Sequence, residues 1–268
     1  MTAFVLKIIA LTAMLIDHTG ATFPDHTPLY FRVIGRLTFP IFVYLLAEGF
    51  RHTRSPGKFL LRLFAFALIS QPFFDWSLNR SRHISAGYSP WRVDFLNNTN
   101  IFYTLFLGGL AIVAFQWIRM TLTQRLQVQS DDGSQSTAGL PDWLLRLVIF
   151  ALAALPTAGF MWIAEYLSAD YGNYGVLFIF LMYVIKSPKW LMLMVFAVMN
   201  VLQHRALFPF FIEGIRIPWE FYLMIPATLL TVPLIAMYNG KRGPSMKWLF
   251  YAAYPAHLAV LATLAFLL

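Results

Sequence analysis

Residues 1–20 read MTAFVLKIIALTAMLIDHTG, and this stretch decides the class of fold. Its length suits one crossing of a bilayer, because a helix rises about 1.5 Å per residue and the hydrocarbon core is about 30 Å thick. Lys7 is its one cation, and no small-residue cleavage site precedes the next polar stretch, so we predict a retained membrane span. This span carries Asp17 and His18, which are costly in a bilayer without partners.

The composition extends this prediction to the whole chain. Hydrophobic residues make up 59% of the 268 residues and charged residues only 12%, about half the share usual in a soluble domain. At about 20 residues per crossing, the chain has room for about nine spans, with eight to ten consistent with its apolar runs. We predict an all-α, polytopic transmembrane helix bundle that forms a single domain over residues 1–268. The predicted spans cover residues 4–23, 29–50, 59–74, 101–118, 143–167, 174–185, 190–211, 221–238 and 248–268.

The distribution of Lys and Arg predicts the orientation of the bundle. Lys and Arg are more frequent in the loops on the N-terminal side of the membrane than in the loops on the opposite side. Because cytoplasmic loops carry an excess of these cations, we expect a cytoplasmic N-terminus. The net charge of +8 comes from short loops between apolar runs, which favours contact with the lipid bilayer over binding of nucleic acid. Residues 127–139 are almost entirely polar, with Val128 and Ala138 as their apolar side chains, and predict a flexible inner loop.

The absence of cysteine excludes disulfides, thiolate nucleophiles and cysteine-ligated metals. The six histidines are scattered without paired spacing on one helix, so we predict no metal site.

Ionisable residues within the predicted spans fall into two groups by depth. Near the outer ends lie Asp17 and His18, with Arg32 and Arg36 at a similar depth on the returning span. His18 could act as a general base, while Asp17 could either orient His18 or neutralise Arg36. The inner group is basic and would suit a phosphate-rich ligand, although the positive-inside rule alone would also explain it. Its members are Lys7, Glu48, Arg51, His52, Arg54, Lys58 and Arg62.

Three further polar positions stand out. Asn100 opens the fourth span and Asp170 lies in an outer turn, where caps and turns are the ordinary roles. His257 is different, because it falls within the last span beside Pro255. Either a functional role or a buried, hydrogen-bonded structural role would account for His257.

The chain resembles the TraX family, membrane proteins associated with N-terminal acetylation of conjugative pilin. The resemblance runs in order through LKIIALTAMLIDHTGA (6–21), FRVIGRLTFPIFVYLLAEGFRHTRS (31–55), KFLLRLFAFALISQPFFD (58–75), NIFYTLFLGGLAI (100–112), DYGNYGVL (170–177), YNGKRG (238–243) and KWLFYAAYPAHL (247–258). It implies a multi-pass protein of the bacterial inner membrane.

A more distant likeness links the first span to the acyltransferase-three superfamily and related transmembrane acyltransferases. That group carries a basic residue, ten residues and then His in its first span, and Lys7 and His18 reproduce the spacing with Lys in place of the usual Arg. The likeness implies an acyl-CoA donor that enters from the cytoplasm and a catalytic His reached through the bundle.

The resulting hypothesis is an acetyltransferase that uses acetyl-CoA and no metal. The acceptor would be an amine or hydroxyl, on a protein such as pilin or on an envelope glycan or lipid. The catalytic candidates are His18, Asp17 and Arg36; the candidates for binding acyl-CoA are Lys7, Arg51, Arg54, Lys58, Arg62, Lys241 and Arg242; the supporting candidates are Arg32, Glu48, Asn100, Asp170, Tyr254 and His257. A proton-coupled transporter and a non-catalytic pilus or envelope assembly protein are the alternatives.

Overall fold

All regular secondary structure in the described part of the chain is helical. A computed structural model describes residues 1–127, 141–204 and 222–267. Its helices are α1 (Ala3–Thr22), α2 (Tyr30–Gly35), α3 (Thr38–His52), α4 (Pro56–Ser77), α5 (Arg80–Ser85), α6 (Ile101–Gln127), α7 (Asp142–Tyr166), α8 (Gly172–Val184), α9 (Lys189–Leu202), α10 (Met224–Leu229), α11 (Thr231–Ala236) and α12 (Lys247–Leu267). The flexible loop predicted at 127–139 lies outside the described residues except for Gln127, as does the end of the predicted seventh span.

The predicted all-α membrane bundle is confirmed. Six apolar segments are long enough to cross a membrane: Ala3–Thr22, Tyr30–His52, Pro56–Ser77, Ile101–Leu126, Trp143–Tyr166 and Trp248–Leu267. Three shorter apolar segments, Gly172–Val184, Lys189–Leu202 and Met224–Ala236, coincide with the remaining predicted spans. The predicted number of about nine therefore corresponds to six long and three short segments within the described residues.

Prolines explain two breaks within these segments. Pro40 lacks the N–H that would bond the Arg36 carbonyl four residues earlier, and the second segment divides there into α2 and α3. Pro233 leaves the Leu229 carbonyl without its helical donor in the same way, and α10 gives way to α11 at that point. By contrast, α7 continues through Pro156. The break in the second segment places Arg36 at a helix terminus.

Six helices pack in a closed ring. Following neighbours around it, α1 contacts α12, α12 contacts α4, α4 contacts α6, α6 contacts α8, α8 contacts α3, and α3 returns to α1. The short α2 packs on α1, and α7 covers α6 and α8 from outside. On the far side of α8, α9 carries α10 and α11. The ring contains much of the apolar core, including Phe39, Ile112, Phe178 and Leu258, none of which is more than 2% exposed.

Large aromatic side chains are exposed near the ends of several helices. Trp143, Trp190 and Trp248 lie at the starts of α7, α9 and α12, while Trp162 and Tyr166 lie at the end of α7. Such residues favour the headgroup region of a bilayer, because their rings are apolar and carry one polar group. Their positions agree with a bundle that crosses a membrane.

Candidate functional site

The ring of helices surrounds a large, partly open cavity. Its volume is about 1240 Å³, and both Lys7 and His18 line it. Ten residues lie between these two positions along α1, so the positions differ by a rise of about 16 Å. We call the two ends of the cavity the Lys7 end and the His18 end. Members of both groups of ionisable residues that the sequence separated by depth therefore line the same cavity.

Asp17 holds two arginines at the His18 end. Its Oδ1 lies 2.6 Å from Arg32 Nη1 and 3.2 Å from Arg36 Nη2. Arg32 also donates a hydrogen bond to the Asp17 carbonyl at 3.0 Å, and Arg36 Nε donates to the Arg32 carbonyl at 3.0 Å. Two positive charges and one negative charge thus line the cavity wall. Of the two roles considered for Asp17, the structure has it pairing with Arg36, and with Arg32 as well.

Glycine allows α2 to approach Asp17 this closely. A Cβ atom at Gly35 would overlap the Asp17 carboxyl, and one at Gly20 would press on Phe31. Because protein interiors are closely packed, a methyl group at Gly35 would force Asp17 and its arginines to move. Gly20 in LKIIALTAMLIDHTGA and Gly35 in FRVIGR therefore leave the space in which the charged side chains of the two segments meet.

His18 is bonded to His257 instead of to Asp17. His18 Nδ1 lies 2.6 Å from His257 Nε2, and His257 Nδ1 lies 2.8 Å from the Ala253 carbonyl oxygen. The two imidazole rings meet edge to edge, with centroids 4.9 Å apart and planes 24° from parallel, and the Tyr254 ring packs edge-on against both. His18 and Tyr254 line the cavity, whereas His257 lies behind them on α12. The structure thus brings together three of the candidate residues.

Asp170 adds a second carboxyl to the same end of the cavity. Its backbone N–H donates to the Thr99 carbonyl at 2.9 Å, and its own carbonyl accepts from the Thr104 hydroxyl. Tyr171 follows with φ of 67° and stacks on Phe39 with ring centroids 3.6 Å apart. Burial raises the pKa of the Asp170 carboxyl from its ordinary value of 3.8 to about 6, while the Arg36 guanidinium opposes this rise.

Four of the predicted acyl-CoA-binding cations line the cavity: Lys7, Arg54, Arg62 and Arg242. Lys7 Nζ lies 5.3 Å from the centre of the Phe250 ring, and the Arg62 guanidinium lies 6.0 Å from that of Tyr251. Arg62 Nε is buried and makes no hydrogen bond with any described residue. Cationic donors grouped in this way are suited to bind phosphate oxygens.

A loop anchored to the start of α1 carries Arg242 into position. Phe4 N–H donates to the Arg242 carbonyl at 3.1 Å and Ala3 N–H donates to the Lys241 carbonyl at 2.9 Å. These carbonyls satisfy backbone donors that the first turn of a helix leaves unpaired. Gly243 adopts a φ of 72° against Thr2 and Phe4, which favours glycine at this position. The motif YNGKRG therefore attaches to the LKIIALTAMLIDHTGA helix through its backbone.

Known proteins match this chain over nearly its whole length. The model of the family described as "TraX protein" matches residues 3–265. The chain belongs to the TraX family. A TraX-type relative is the "Probable fimbrial assembly protein FimC, serogroup H1" of Dichelobacter nodosus, which is 31% identical over 271 residues, 97% of this chain and 94% of the relative. No solved structure matches the chain significantly. The family resemblance seen in the sequence is confirmed.

Other predicted residues of this TraX-family chain lie outside the cavity lining. Arg51 bonds Glu48 at 3.0 Å and turns to the carbonyls of Met182 and Tyr183 at the end of α8. A cation at a helix C-terminus stabilises that helix. Lys58 and Lys241 do not line the cavity either, whereas Glu48 does.

Asn100 joins a buried polar network that the sequence analysis missed. Asn100 Nδ2 donates to Gln71 Oε1 at 2.8 Å, and its own Oδ1 caps α6 by accepting from Phe102 N–H. Asp75 accepts from Gln71 at 3.1 Å and from Asn79 at 2.8 Å. The spacing of Gln71 and Asp75, four residues apart on one face of α4, with Asn79 four residues further on just beyond the helix, was the available signal.

This network borders the His18 end of the cavity. Asn79, Arg82, Asn98 and Thr99 all line it. Thr99 is only 1% exposed, and its hydroxyl makes no hydrogen bond with the described residues. A buried hydroxyl without a partner is costly, so this position carries an unsatisfied polar group beside the cavity. In residues 1–127, 141–204 and 222–267, no three His, Cys, Asp or Glu side chains cluster as metal ligands would.

Proposed function

We propose that this protein is a membrane-embedded acetyltransferase that moves an acetyl group from acetyl-CoA to an amine or hydroxyl acceptor. The observation that carries the proposal is the single cavity with grouped cations at the Lys7 end and His18 beside an Asp17-held arginine pair at the other. A donor with a polyanionic end and a reactive thioester end suits such a cavity. Membership of the TraX family agrees with it.

The Lys7 end would bind the phosphates of the donor. Lys7, Arg54, Arg62 and Arg242 supply the positive charge there, and the buried Nε of Arg62 is a donor without a partner among the described residues. The rise of about 16 Å from Lys7 to His18 suits the extended pantetheine arm, which separates the phosphates of coenzyme A from its thioester. The thioester would then lie near His18.

The His18 end would carry out the transfer. His18 takes a proton from the acceptor as the acceptor nitrogen or oxygen attacks the thioester carbonyl. Negative charge develops on the carbonyl oxygen, and Arg36, whose guanidinium Asp17 holds in the cavity wall, would stabilise it. The C–S bond then breaks, and the coenzyme A thiolate receives the proton from His18.

The acceptor would come from the cell envelope. A fimbrial subunit is our first choice, because the relative from Dichelobacter nodosus is named a probable fimbrial assembly protein. An envelope glycan or lipid is the alternative. We place the protein in the bacterial inner membrane with a cytoplasmic N-terminus, so that acetyl-CoA reaches the Lys7 end.

Release of free coenzyme A from acetyl-CoA tests this proposal. The chain contains no cysteine, so a thiol reagent would report the coenzyme A thiol without background from the protein. The purified protein in lipid nanodiscs should release coenzyme A when given a fimbrial-subunit N-terminal peptide. The His18→Gln variant should lose this activity, while His204→Gln, which changes a buried histidine bonded to Thr228, should keep it.

A second pair of variants tests the donor end. Arg62→Gln should raise the KM for acetyl-CoA about tenfold or more, because it removes charged hydrogen bonds to phosphate. Lys58→Gln is the matched control, since Lys58 lies close in sequence but does not line the cavity. Equal KM values for the two variants would contradict the assignment of the Lys7 end. Movement of a substrate across vesicles with no release of coenzyme A would favour the transporter instead.

A further inference from the structure

The hydrogen bonds behind His18 determine which ring nitrogens carry protons. The Ala253 carbonyl oxygen can only accept a hydrogen bond, so His257 Nδ1, 2.8 Å away, must be the donor. A neutral His257 then has its lone pair at Nε2. His18 Nδ1 lies 2.6 Å from that lone pair and must donate to it.

Because His18 Nδ1 carries the proton in this pair of hydrogen bonds, a neutral His18 has its lone pair at Nε2. Cε1 separates Nε2 from Nδ1, so the Nε2 lone pair points away from the bond to α12, and no hydrogen bond from the described residues engages it. His18 lines the cavity whereas His257 does not. We propose that His257 is a positioning residue that holds His18 in its Nδ1–H tautomer and thereby presents Nε2 to the cavity as a base.

The surroundings of the two rings support this role. Tyr254 packs edge-on against both, with ring centroids 5.8 Å from His18 and 5.5 Å from His257, which restricts rotation of either ring. Asp17, the neighbouring carboxylate, pairs with Arg32 and Arg36. His18 Nδ1 therefore donates its hydrogen bond to His257 and not to Asp17.

The catalytic consequence rests on the proposed acetyl transfer. His18 Nε2 takes the proton of the attacking amine or hydroxyl as the new bond to the acetyl carbon forms and the C–S bond breaks. The proton on His18 Nδ1 can pass to His257 Nε2, so that the positive charge moves to His257, one ring further from Arg32 and Arg36. The reverse shift returns a proton through His18 Nε2 to the coenzyme A thiolate.

Solid-state NMR of the full chain in lipid, labelled with ¹⁵N and ¹³C in histidine, tests the inference without any assay of activity. Ring-nitrogen shifts report which nitrogen carries the hydrogen, and His18→Gln identifies the His18 signal among the six histidines. We expect His18 in the Nδ1–H tautomer in the wild type. Finding Nε2–H in the wild type would overturn the inference directly.

Two variants of His257 test the cause. His257→Phe removes the acceptor, and the ratio of Nδ1–H to Nε2–H should fall about tenfold, the effect of one lost hydrogen bond. His257→Gln offers a carbonyl oxygen in its place and should keep the Nδ1–H tautomer, while His204→Gln is the matched control. An unchanged ratio in His257→Phe would show that His257 does not hold the tautomer.

Kinetics separate this inference from the proposed function. His257→Phe should lower kcat with the KM for acetyl-CoA unchanged, and His257→Gln should recover part of the loss. Equal kcat in the two variants would contradict the positioning role. Absence of acetyl transfer in the wild type would refute the proposed function, whereas the NMR result would still decide whether His257 sets the tautomer of His18.

Discussion

Replacing Asp170 with asparagine removes one carboxyl whose ionisation the fold opposes. Burial raises its pKa from 3.8 to about 6, so the folded chain holds this proton more tightly than the unfolded chain does. The stability that results is fully present below about pH 4 and is lost as the pH rises through 6. The difference of about two in pKa corresponds to at most about 3 kcal/mol.

The assay is the free energy of unfolding in mixed micelles between pH 4 and pH 7.5, for the wild type and Asp170→Asn. The asparagine variant has no proton to release, so the stability of the wild type relative to the variant should fall by up to about 3 kcal/mol across this range. Any constant offset from the new amide leaves this slope unchanged. Two parallel curves would refute the reasoning.

Asp94 provides a control of opposite sign. Burial acts to raise the pKa of its carboxyl, but hydrogen bonds from the backbone of Leu96 and Asn97 and from Arg92 outweigh burial and lower the pKa. Its contribution to stability is therefore present at neutral pH and lost as the pH falls through the lowered pKa. As the pH falls, the unfolding free energy of the wild type should rise relative to that of Asp170→Asn. Relative to that of Asp94→Asn, it should fall.

Two further changes probe the charged wall of the cavity. Asp17→Asn leaves two arginines without their carboxylate and should cost about 3–5 kcal/mol of unfolding free energy. Adding Arg36→Gln should recover about 1–3 kcal/mol in a double-mutant cycle, and strictly additive effects would contradict the pairing. Gly35→Ala places a methyl group on the Asp17 carboxyl and should destabilise the fold by about 1–3 kcal/mol. Its control is Gly159→Ala, where the added methyl meets nothing within 4 Å and thermal unfolding should show no loss.

The membrane fold could be predicted because long apolar runs leave few alternatives. The segments around Asp17 and His257 are confirmed as helices, since a bilayer requires every backbone group to be bonded internally. The break at Pro40 was harder to predict, because proline is tolerated both in the first turn of a helix and within membrane spans. The short α5, Arg80–Ser85, has too few residues to show a helical period.

The sequence predicted the depth of the candidate site residues along their spans, but not the helix face on which each residue lies. Counting residues along two spans placed His18 and Arg36 at one level, and the structure brings both to the cavity. The same counting grouped Arg51 with Arg62, yet Arg51 turns toward α8, because depth does not say which face of a helix a residue occupies. The bond between His18 and His257 joins residues 239 positions apart, and no local pattern predicts it.

The central claim is that one cavity holds the donor from the Lys7 end to His18. A cryo-electron microscopy structure with a non-hydrolysable acetyl-CoA analogue in lipid nanodiscs tests it most directly. We expect phosphate density among Lys7, Arg54, Arg62 and Arg242, with the thioester mimic within hydrogen-bonding reach of His18. An analogue bound outside the cavity, or a continuous layer of apolar side chains separating Arg62 from His18, would contradict it.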